Sequence, residues 1–213
     1  MNISIHKIGF WAGLAASGAT WAFVIVQLLQ LAGAFHYPLD EILIYGTSLC
    51  IVIPFTLEIL ALHYITPDHK KFWSHAALVF TIIYAVFVSA NYIVQLATVI
   101  PMKLKGAANE IGILEQTPHS LFWDFDALGY IFMGLATLFA IPVFGKHGFQ
   151  KWIRICFAAN ALVTPLITFV YFYPEYSAKL LMLGLPWAIT APLSMLMLAI
   201  MFKKNDKNHD GNA

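Results

Sequence analysis

Charge is the scarcest property of this 213-residue sequence: Asp, Glu, Lys and Arg make up 11% of it, against 60% hydrophobic residues. That balance, with a strongly positive mean hydropathy, lies far outside the range of soluble domains. Cysteine is nearly absent. Cys50 and Cys156 sit near opposite ends of different apolar segments, so a disulfide between them is not expected. The sequence also lacks a glycine-rich phosphate loop ahead of a helix, a Gly-x-Ser-x-Gly turn and a His-Glu-x-x-His pair, the commonest sequence signals of nucleotide, hydrolase and zinc-protease chemistry. A net charge of +1 gives no footing for nucleic acid.

What fills the chain instead is a series of long apolar runs, expected as six membrane spans near residues 8–35, 42–64, 76–100, 127–145, 152–173 and 180–202. A stretch of about 20 apolar residues is enough to cross ~30 Å of hydrocarbon. Each run must be helical, because an open strand cannot satisfy its backbone in lipid. The expected fold class is therefore an all-α integral membrane protein, a six-helix bundle forming one domain over residues 1–213, with a polar flexible tail at 203–213. The first run follows Lys7 and is longer than the roughly 7 to 15 residues of a signal-peptide core, so it is expected to remain as the first span.

The few charges are distributed unevenly. With six spans both termini share a side, together with Lys7, Lys70, Lys71, Lys146, Lys151, Arg154, Lys203, Lys204 and Lys207. Only Lys103, Lys105 and Lys179 fall on the other side. The positive-inside rule then expects both termini in the cytoplasm, and the chain in a bacterial cytoplasmic membrane.

Polar groups inside the runs are the functional candidates. Glu58 is the one formal charge set well inside a run, one turn beyond Pro54, which frees the carbonyl of Cys50 and is expected to kink the helix. A carboxyl at that depth costs about 2.5 to 3.5 kcal/mol on insertion scales, so it should face the bundle interior, be protonated or have a partner. Tyr84, Asn160, Ser17 and Ser194 lie at similar depth. In the other half, Gln27, Gln30, Asn91, Gln95, Thr98, Asp126 and Tyr130 gather below a connection of over twenty residues, Pro101 to Asp126, expected as an interfacial helix or a lid. Gly9, Gly13 and Ser17 recur at four-residue steps on the first span, the pattern that lets helices approach closely and a candidate face for homo-oligomers.

His63, His69 and His75 recur every six residues around an inner loop, but neither a short His-x-x-His nor a cysteine pair accompanies them. No metal or cofactor is assigned. The expected activity is binding, or transport, of a small apolar or amphipathic ligand inside the bundle, with Glu58, Gln27, Gln30, Asn91, Gln95, Asp126, Tyr130, Asn160 and Tyr84 as binding or gating residues. Membrane lipids are the expected surroundings. The alternatives are an accessory or oligomerising subunit without ligand, and a lipid-modifying or redox enzyme. A binder needs a cavity lined by these side chains, whereas a scaffold needs them in contact with one another.

Overall fold

A computed structural model describes residues 4–210, apart from the side chains of Ala108, Ala178 and residues 207–210. Among the described residues there is no strand, and six helices are long and apolar enough to cross a membrane. They are α1 (Ile5–Leu31), α2 (Leu39–Ile65), α3 (Lys71–Val94), α4 (Leu121–Ala140), α5 (Gly148–Phe172) and α6 (Trp187–Asp210). Each packs on the next in sequence, and α6 closes on α1, so the six form a ring. Short connections make neighbours antiparallel and bring both termini to one end. There Lys7 and Asp206 lie 4.0 Å apart.

Local chemistry sets the helix ends. Ser4 and Ser120 cap α1 and α4 by accepting from the backbone N–H groups of His6 and Trp123, each at 3.2 Å. Asp40 and Glu41 stand in the first turn of α2, where acidic side chains complement the helix dipole. At the terminal end, Arg154 donates to the carbonyls of Ile141 and Phe144 at 3.1 and 3.0 Å, and Lys70 to Val143 at 2.7 Å. The cations that crowd this end thus satisfy carbonyls that α4 leaves open.

The spans differ from expectation mainly at their far ends. α3 does not stop near residue 100: it passes through a π-turn, Gln95–Val99, into a short helix, Ile100–Leu104. α4 starts at Leu121, six residues earlier than expected, because Ser120 caps it there. The last span, Lys179–Asp206, begins where expected but is broken near its start. A short helix Ala178–Leu181 and a 3-10 turn Met182–Gly184 precede Pro186, and α6 starts only at Trp187. Proline lacks an N–H and restricts the residue before it, which accounts for the break. In the expected tail, residues 203–210 continue α6, with Lys203 and Lys204 over the rings of Phe10 and Phe149 at 5.2 and 3.7 Å. Residues 211–213, and the side chain of Lys207, lie outside the described residues.

The small-residue face of α1 is used within the chain. A Cβ on Gly9 would come within 2.7 Å of the Phe202 ring, and one on Gly13 would strike the Glu58 carboxyl and the Cβ of Ala199. Ser17 donates to the carbonyl of Pro192 at 2.9 Å. The seam expected for close approach is therefore the contact of α1 with α6 and α2. A second copy using the same face would have to displace α6.

Candidate functional site

Two carboxyl groups sit inside the ring, one in each half, and their surroundings differ. Asp126, near the start of α4, is 5% exposed. Tyr92 of α3 donates to its Oδ1 at 2.6 Å, and Tyr171 of α5 donates to its Oδ2. Trp123, one turn earlier on α4, donates to the Tyr171 carbonyl at 3.4 Å, and its ring lies tilted against that of Tyr171 with centroids 4.5 Å apart. Asp126 thereby ties three helices together with both oxygens satisfied. Glu58 of α2 is fully buried, and neither of its oxygens has a hydrogen-bond partner among the described residues. It fits only because Gly13 leaves room opposite.

The remaining stripe residues divide into separate groups. Asn91 and Gln95 hold down the long connection: Asn91 donates to Gln116 Oε1 at 3.0 Å, and Gln95 to the carbonyl of Leu114 at 2.8 Å. Gln95 Oε1 in turn accepts from the backbone N–H of Gln116 at 3.2 Å. The connection is folded over the bundle end, with Ile111 fully buried and Lys103 paired to Glu115. It is the expected lid, and the π-turn that begins at Gln95 shifts the helix register beneath it. Gln30 donates to Asp40 at 3.1 Å across the α1–α2 connection. Asn160 accepts from Thr190 at 3.1 Å and donates to Thr137 at 3.3 Å, joining α5, α6 and α4. Tyr84 lies edge-on to Phe55, with ring centroids 5.7 Å apart.

Two spaces remain. A central void of about 20 Å³ is lined by Ser48, Tyr84, Asp126, Tyr130, Met133 and Trp187 among others. That is room for about one water molecule. The second space is a cavity of about 480 Å³ on the flank of the ring, between the far end of α1 and α5 and closed below by the 178–188 segment. Val24, Gln27 and Leu28 line one side, Ile167, Val170 and Tyr171 the other, and Met182, Leu185 and Ala188 the base. Leu28, Leu31 and Met182 are exposed, so the cavity is open on its outer side. Its volume falls within the ~300–1,000 Å³ of small-molecule sites. Tyr130 and Trp187 line both spaces and form the wall between them.

Of the residues singled out from the sequence, the structure thus brings Gln27 and Tyr130 to the flank cavity, and Tyr84, Asp126 and Tyr130 to the central void. Glu58, Gln30, Asn91, Gln95 and Asn160 line neither space. Missed were Tyr92 and Tyr171, the partners of Asp126, and Trp187, whose ring stands edge-on to Phe23 and Tyr130 at 5.9 and 5.1 Å. Gly184 and Pro186 were the available sign that α6 starts late and leaves a gap. At the terminal end His63 and His75 lie ring to ring at 5.5 Å, and His63 Nδ1 meets Ser74 Oγ at 3.0 Å. Among the described residues no three His, Cys, Asp or Glu side chains are grouped to hold a metal ion.

No family model, no curated protein and no solved structure matches the chain.

Proposed function

We propose that the protein spans a bacterial cytoplasmic membrane with both termini in the cytoplasm, and binds a small apolar or amphipathic molecule in the flank cavity. The observation that carries this reading is the cavity itself, about 480 Å³ at the late start of α6. In a bilayer its open side faces lipid, the route by which an apolar molecule would enter. The orientation rests on the crowding of lysine and arginine at the end that carries the termini. Movement of the ligand would require the ring to open, and the candidate gate is Glu58, a buried carboxyl without a partner one turn beyond Pro54.

The test is native mass spectrometry of the protein released gently from its own membrane, beside the variant Ala188→Trp, which fills the cavity from its base. The expected result is a discrete extra mass in stoichiometric amount, absent from the variant. Heterogeneous lipid carried equally by both proteins would refute binding at this site. That outcome would favour an accessory subunit without ligand, a reading supported by the direct contacts of Asn91, Gln95, Asn160 and Ser17 with neighbouring elements.

A further inference from the structure

We infer that the flank cavity takes an uncharged amphiphile from the bilayer, with a hydrogen-bond-accepting oxygen such as an ester or ketone carbonyl in its head and an aliphatic tail. This rests on the binding reading above and narrows it to a chemical class. Among the described residues that line the cavity there is no Asp, Glu, Lys, Arg or His. An ionised head drawn into such a wall would lose hydration without gaining a counter-charge. Asp126, on the central void behind Tyr130 and Tyr171, has both oxygens already accepting from Tyr92 and Tyr171, so a cationic head finds no free acceptor there.

What the wall does offer are neutral polar groups. The hydroxyl of Tyr130 has no hydrogen-bond partner among the described residues, and its ring is held between those of Tyr171 and Trp187, with centroids at 6.0 and 5.1 Å. Gln27, across the cavity on α1, also has an unengaged amide and is exposed. A carbonyl oxygen at the inner end satisfies the Tyr130 hydroxyl, and Gln27 can donate to a second oxygen nearer the mouth. Beside this polar pair stand the rings of Tyr171, Tyr176 and Trp187, the last with an unpaired indole N–H, and the aliphatic Val24, Leu28, Ile167 and Leu185 are positioned to cover a tail. The open flank lets a longer chain run on into the bilayer.

The experiment uses the full chain in nanodiscs and three probes with the same diazirine-bearing tail: a monoacylglycerol, an alkyl phosphate and an alkyl trimethylammonium. Cross-linked peptides are mapped by mass spectrometry. The expected result is saturable labelling of α1 and the 178–188 segment by the monoacylglycerol alone, abolished in Ala188→Trp. In Tyr130→Phe, checked for unchanged elution and thermal stability, it should weaken about fivefold to tenfold, the loss of one hydrogen bond. Saturable labelling by the phosphate or the ammonium probe, equal to or above that of the ester, would overturn the uncharged class while leaving the site standing. Full labelling of Tyr130→Phe by the ester would overturn the accepting head. Labelling by all three probes no higher than in Ala188→Trp would overturn the site as well.

Discussion

Asp126 and Glu58 are both carboxyl groups buried in a ring of apolar helices, yet one is built into its surroundings and the other is only enclosed by them. Asp126 accepts from two tyrosines on two other helices, and a tryptophan holds one of those tyrosines in place. Glu58 has no partner for either oxygen and faces a glycine. The lesson is that depth alone does not define a role. A satisfied buried carboxyl contributes to stability through what its removal would leave unpaired, whereas an unsatisfied one carries its desolvation cost without a compensating bond.

The largest effect expected from this contrast comes from Asp126→Ala. It strips the acceptor from two buried tyrosine hydroxyls, each costing about 1–3 kcal/mol when left unpaired. The combined loss should appear as an early collapse of the monodisperse peak when the protein is heated and passed through a sizing column. Gly13→Ala comes next, since the added methyl meets both Glu58 and the Cβ of Ala199. Overpacking of this kind costs about 1–3 kcal/mol. The cost should shrink in a Glu58→Ala background but persist, because Ala199 remains. Gln116→Ala should be milder: loss of its side-chain contact with Asn91, worth about 1 kcal/mol, should speed hydrogen exchange across residues 105–120 and leave the far side of the ring unchanged.

The smallest effect belongs to Glu58→Met. A thioether of similar length replaces a carboxyl with no partners, so heat stability should stay within about 1 kcal/mol of the parent or rise. If Glu58→Met destabilised the protein as much as Asp126→Ala, the contrast between the two sites would be lost.

The six long apolar helices were legible because a run long and apolar enough to cross hydrocarbon has to satisfy its backbone as a helix. Glu58, Asp126 and the Gly9, Gly13, Ser17 face stood out for the same reason: polar or very small residues are conspicuous in apolar helices. Their partners did not stand out. Tyr171 belongs to a run of aromatics, Phe169 to Tyr173, in which nothing marks the hydroxyl that turns inward, and Tyr92 reads like any tyrosine near a helix end. Pairing between distant helices is set by ring closure, which periodicity within one helix does not reveal. The amides were read as one cavity lining because they share a depth, yet Asn91 and Gln95 are engaged by a lid whose Gln116 carries no sequence mark. The flank cavity escaped because hydropathy is continuous across residues 180–202, although Gly184 and Pro186 interrupt the helix there.

The most direct measurement is an electron cryomicroscopy map of the full chain in a lipid nanodisc, with a bound fragment to add mass. The expected result is one elongated density in the flank cavity, its inner end within hydrogen-bond distance of the Tyr130 hydroxyl and its tail between α1 and α5. A flank in which α1 and the 178–188 segment have closed onto α5, leaving no space and no density, would contradict it.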